Sequence, residues 1–186
     1  MPSGVGAFSR CRENGVMTTR QKMGGFKFKN VFELDEDCAR AMFDGASYFL
    51  TQVQPHAKTQ MCALNDADND AKKSKEAYMK LQINVIAAQV RVDVISSLCD
   101  FFNSKGNFVA NDASGRIFLQ SSCITAVEKG LAALVKQADE FEEKARVGLK
   151  SKKGEKGQRA LNFTLACATA EAVKNFEDWF DPQEMP

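Results

Sequence analysis

Two basic stretches carry the clearest chemistry in this chain. Residues 144–159 hold Lys144, Arg146, Lys150, Lys152, Lys153, Lys156 and Arg159 against Glu155. Residues 10–29 hold Arg10, Arg12, Arg20, Lys22, Lys27 and Lys29 against Glu13. The whole chain has a formal net charge of only +1. The positive charge is therefore segregated, with the negative excess at Asp35 to Asp37, in 66–70 and at Glu177, Asp178, Asp181 and Glu184. Lysine and arginine displace counterions condensed on a phosphate backbone, so a glycine-spaced basic loop is suited to follow a polyanion. Phe26 and Phe28 sit between lysines, where aromatic rings can stack on exposed bases. The expected polyanion contacts are Lys144, Arg146, Lys150, Lys152, Lys153, Lys156 and Arg159 in the loop, with Arg20, Lys22, Lys27 and Lys29 in the arm. A solvated loop and tail is the plainer alternative for the same residues.

The other chemistry-bearing residues do not assemble into a motif. His56 is the only histidine, next to Pro55. Nucleophilic catalysis needs a base held against a nucleophile, and nothing near His56 supplies one, so it is read as a surface histidine. Asp66, Asp68 and Asp70 alternate as at the start of a calcium loop. Ala71 stands where that loop needs glycine, and Ala77 where it needs the bidentate glutamate. The segment is read as a solvated helix entry, with Asp70 or Ser74 as the cap of the next helix. No phosphate-cradling glycine fingerprint is present. No catalytic residue, cofactor or metal ligand is accordingly expected, and no enzyme class is supported.

Six cysteines, Cys11, Cys38, Cys62, Cys99, Cys123 and Cys167, are scattered without a C-x-x-C pair. Several fall on apolar helix faces, and the reading is buried reduced thiols in a reducing compartment. There is no run of about 18 apolar residues for a membrane span and no apolar signal core. The expected location is intracellular and cytoplasmic, with a basic transit peptide as the alternative.

The elements that must position these residues follow from periodicity. Residues 1–25 lack any period and read as a disordered basic arm. Residues 26–32 alternate briefly, as an extended segment laid on the body. A first helix is expected from about Leu34, ended or kinked at Pro55. The second is the clearest: Tyr78, Leu81, Val85, Ala88, Val92, Ile95, Cys99 and Phe102 recur at three-four spacing, widened by Ile86, Val90, Val94 and Leu98. A third helix is expected from about Ser122 to Val147, stopped at Gly148. A Gly/Lys loop at 148–158 then leads to a fourth, from about Arg159 to Phe180. Phe108-Val109 and Ile117-Phe118 flank a turn and predict a small β-hairpin over 107–119.

The chain of 186 residues, 44% apolar, is of a size to bury one core without external staples. The predicted fold is all-α, an antiparallel four-helix-type bundle forming a single domain over 26–186. The predicted function is a non-enzymatic structural or binding subunit in a coat-like or assembly role. It would self-assemble or bind another protein, with RNA or another polyanion as a further partner and no membrane. A monomeric helical adaptor, and an enzyme with an unrecognised site in the helical core, are the alternatives.

Overall fold

The computed structural model describes residues 26–68, 74–109, 117–151 and 154–180, together with the backbone of 183–184. The fold is all-α. Helix α1 spans Glu36–Asp68, α2 Lys75–Asn103, α3 Ser121–Lys150 and α4 Lys156–Trp179. No helix among the described residues is long and apolar enough to cross a membrane.

Local chemistry sets the helix starts. Asp35 Oδ1 accepts the Cys38 backbone N–H at 2.8 Å, and Glu36 and Asp37 complement the positive end of α1. Ser74 caps α2 by accepting the Ala77 N–H at 3.2 Å. Pro55 does not end α1: it lies on an exposed side of a helix that continues to Asp68. Its ring costs one backbone hydrogen bond, while Val53 and Ala57 on the opposite side remain buried and hold the helix through it. Gly148 does not stop α3 either, and α4 begins three residues earlier than expected, at Lys156. Nothing in these turns forces an earlier break, so the connection between α3 and α4 contracts to 151–155.

α2 packs against both α1 and α4, and α3 packs against α4. Ser47, near the start of α1, donates to the Cys99 sulfur near the end of α2, so these helices run antiparallel. Phe49 of α1 lies against Phe176 and Trp179 near the end of α4, with ring centroids 5.5 and 4.9 Å apart. Phe102, Phe176 and Met42 are the largest fully buried side chains. Each contributes about 1.5–3 kcal/mol by leaving water. One apolar cluster draws on all four helices and on Phe26, Phe32, Phe108, Ile117 and Leu119.

The hairpin expected over 107–119 is replaced by a different pairing. Phe108 and Val109 lie outside any strand, while the turn at 110–116 lies outside the described residues. Strand β1, Phe118–Leu119, instead pairs in parallel with β2, Gln183–Glu184. Ile117 and Leu119 are buried in the core, and Gly45 of α1 makes room for Ile117: a Cβ there would land on the Ile117 side chain. Burial of these two residues fixes β1 at this edge, where the chain after α4 meets it.

The cysteine reading also needs correction. Cys38 and Cys123 form a disulfide with Cα atoms 5.8 Å apart, while Cys62, Cys99 and Cys167 are thiols. The first turns of α1 and α3 lie side by side, bringing together two cysteines 85 positions apart. Cys11 lies outside the described residues.

Candidate polyanion interface

The segment 26–34 is extended and lies along α3 in the opposite direction. Phe32 sits on Gly130, the Lys29 backbone N–H donates to Gln137 Oε1 at 3.3 Å, and Phe26 packs on Phe141 at 5.3 Å between ring centroids. Gly130 is required because a Cβ at that position would strike the Phe32 ring. Phe32 is in turn held edge-on by Phe102 at 5.1 Å.

This register brings together two stretches that are far apart in sequence. Gly130, Gln137, Phe141 and Lys144 recur at spacings that place them along one face of α3. Residues 26–32 cover that face as far as Phe141, and Lys144 emerges one turn later, exposed. Lys150 at the end of α3 and Lys156 at the start of α4 are exposed on either side of the short connection. Lys27 and Lys29 are exposed on the covering segment. From Gln137 to Lys144 this face is about 10 Å long at the helical rise of 1.5 Å per residue, and Lys150 follows on another side of α3. Lys27, Lys29, Lys144, Lys150 and Lys156 take part in no ion pair among the described residues.

The two arginines behave differently. Arg146 is held by Glu142 at 2.6 Å and by Glu143 at 3.4 Å. The Glu142 hydrogen bond is the first cause raising its pKa, with the charges of Glu143 and Glu142 adding to it. Its charge is thus matched within the helix. Arg159 is half-buried and donates to the Gly154 carbonyl, closing the connection rather than facing outward. Arg20, Lys22, Lys152 and Lys153 lie outside the described residues. The stacking role expected of Phe26 does not hold: it is 7% exposed and occupied by Phe28 and Phe141. Five lysines, rather than aromatic rings, make up the described part of this surface.

Elsewhere the ionisable groups serve structure. Lys174 pairs with Asp139 at 2.8 Å, joining α3 to α4, and Arg91 pairs with Glu171 at 3.1 Å, joining α2 to α4. Tyr78 hydrogen-bonds Asp68 across the α1–α2 connection, which raises its pKa. Asp66 and Asp68 are part of α1, and Asp70 lies outside the described residues. His56 is exposed on α1. Asp93 accepts from Gln89 at 3.0 Å and Thr169 donates to the Leu165 carbonyl at 2.8 Å. These two are the buried polar side chains among the described residues, and each makes a hydrogen bond within its own helix. A small groove between α1 and α2 is lined by Ala57, Met61, Cys62 and Val92.

No known protein family, curated protein or solved structure matches this chain. The register along α3 could not be read from sequence, because alternation at 26–32 says that a face is buried without saying against what. The Arg146 pairs follow from the sequence: Glu142 and Glu143 stand four and three residues before it, where ion pairing on a solvated helix face is expected.

Proposed function

We propose that this protein is a non-enzymatic assembling subunit that binds the phosphate backbone of RNA or a similar polyanion. Its scaffold is an antiparallel four-helix-type bundle acting as one domain over 26–186. The observation that carries the reading is the antiparallel course of 26–32 along α3, from Gly130 to Phe141, which places Lys27 and Lys29 on the same face as Lys144. One extended lysine surface engages successive phosphates better than two separate patches, because the sites are pre-arranged. Phosphate contact without base stacking predicts binding that is strongly salt-dependent and indifferent to sequence.

Self-assembly rests on the same charge segregation. A basic end on one copy suits the acidic residues Glu177 and Asp178 at the far end of α4 on another. Size-exclusion chromatography with light scattering, recorded at 260 and 280 nm in low and moderate salt, tests both parts. Large particles with excess 260 nm absorbance that dissociate in salt are expected. A strictly monomeric protein with a protein-like absorbance ratio contradicts the proposal.

The exposed Met61, Met79 and Ile83 on α1 and α2 favour one second reading, a monomeric adaptor that docks a protein partner there. A stable monomer at high concentration with no affinity for polyanions would select it. The cytoplasmic placement expected from sequence meets an obstacle in the Cys38–Cys123 disulfide, since cytosolic thiols are kept reduced. In such a compartment the pair would be open.

A further inference from the structure

We propose that Cys38, Cys123 and Asp35 form a redox-gated site for a thiophilic divalent cation of the zinc class, available when the disulfide is reduced. One ligand atom from each of these residues lies within 4.8 Å of the others. Three anionic ligands, two of them sulfur, match the preference of zinc-like cations for thiolate over purely oxygen sites. This inference does not depend on the assembly reading.

The surroundings build the site in three ways. First, the backbone fixes the ligands. Cys38 and Cys123 lie in the first turns of α1 and α3, and their Cα atoms are 5.8 Å apart. Second, Asp35 is already oriented. Its Oδ1 accepts the Cys38 N–H at 2.8 Å, the kind of outer hydrogen bond that holds a metal-ligating carboxylate in place. Third, the sulfurs are protected while the carboxylate is open to water. Cys38 is 2% and Cys123 5% exposed, whereas Asp35 is exposed. A cation entering beside Asp35 would meet both sulfurs and keep a solvent-side position for water.

Electrostatics favours occupation despite two helix N-termini. Each terminus carries roughly half a positive charge, which opposes a cation. Two thiolates and a carboxylate carry three negative charges, which balance both termini and the divalent ion together. The chemistry closes without further reactants beyond a dithiol reductant. The reductant takes up the S–S bond as its own disulfide and leaves Cys38 and Cys123 as thiols. The cation then displaces both thiol protons to solvent as two metal–sulfur bonds form. Oxidation back to the disulfide requires loss of the metal, so the two states exclude one another.

Anaerobic titration of the full chain with Co2+ tests the site, because thiolate ligands give a near-ultraviolet charge-transfer band. Reduced protein is expected to bind one equivalent with that band, lose it to Zn2+, and gain melting temperature with Zn2+; oxidised protein should show neither. Cys38→Ser should abolish the band, and Cys62→Ser with Cys167→Ser should leave it intact. Asp35→Ala, which also removes the cap of α1, should weaken binding by about tenfold or more, at least the loss typical of an outer-sphere partner. If reduction unfolds the chain, recovery of helical circular dichroism on adding Zn2+ supports the site, and no recovery overturns it. No band in reduced protein, a band that persists in Cys38→Ser, or unchanged affinity in Asp35→Ala overturns the proposal.

Discussion

The Phe26 ring packs on Phe141 with centroids 5.3 Å apart, one helical turn before Lys144. That contact ties the start of the covering segment to the last turns of α3. With Lys29 on Gln137 and Phe32 on Gly130, it gives the covering segment a single register. A slip of one residue would turn Phe26 and Phe32 out of the core, so apolar burial defends the position of the lysines between them.

Gly130→Ala tests this register. Alanine gains about 1 kcal/mol of helix propensity over glycine. Displacing the Phe32 ring, wedged against Phe101 and Phe102, costs about 1–3 kcal/mol. A net loss of about 1 kcal/mol is expected by urea denaturation. Polyanion affinity should fall with it under native conditions, although no charge has changed.

Glu142→Gln with Glu143→Gln should have the opposite effect. The two carboxylates hold Arg146 at 2.6 and 3.4 Å and occupy its donors. Their removal frees the guanidinium and takes two negative charges from the surface. Tighter binding to single-stranded RNA is expected, with the slope of log K against log salt steeper by about 0.7, the value for one added phosphate contact. The measurement is fluorescence anisotropy across a salt series.

Reduction of the Cys38–Cys123 bond should lower thermal stability in metal-free buffer. The bond spans 85 positions. Closing a loop of that order in the unfolded chain is worth about 4–5 kcal/mol in the chain-entropy treatment. Melting temperature with and without a phosphine reductant, in the presence of a chelator, reads this directly. Equal melting temperatures would show that the bond does not constrain the unfolded chain.

Burial pushes the Cys99 thiol up to about 11 from its ordinary value of 9.0. The native state therefore holds its proton where the unfolded state has lost it. The sign follows: this contribution to stability is present below about pH 9 and is lost as pH rises towards 11. Unfolding free energy should decline over that window, and Cys99→Ala should flatten the decline. In native protein at pH 8, a thiol reagent should modify the half-buried Cys62 and Cys167 well before Cys99.

The helices were legible where one stripe decides burial. In α2, Val85, Ala88, Ile95, Cys99 and Phe102 are buried as their spacing implies. Val90, Val94 and Leu98 are buried too, because α2 meets α4 as well as α1. Boundaries were less legible. Pro55 and Gly148 carry local signals to stop, and neither prevails over the packing of Val53 and Ala57 or the continuing turns of α3. Long-range pairings were not legible at all. Nothing local to Cys38 points to Cys123, and nothing at Phe118 points to Gln183. The basic candidates divided for the same reason. Lys144 and Arg146 look equivalent in a charge count, and each has a glutamate four residues before it, Glu140 and Glu142, but among the described residues only Arg146 closes the ion pair.

Salt-dependent binding of labelled single-stranded RNA and of inorganic polyphosphate tests the central claim most directly, comparing wild type with Lys27→Ala/Lys29→Ala and Lys144→Ala/Lys150→Ala/Lys156→Ala. One continuous phosphate-binding surface predicts that both ligands bind. It predicts a slope for RNA of about −3 or steeper, and that each set of substitutions makes the slope shallower by about 0.7 per lysine removed. No binding at low salt, or slopes that neither set of substitutions changes, would contradict it.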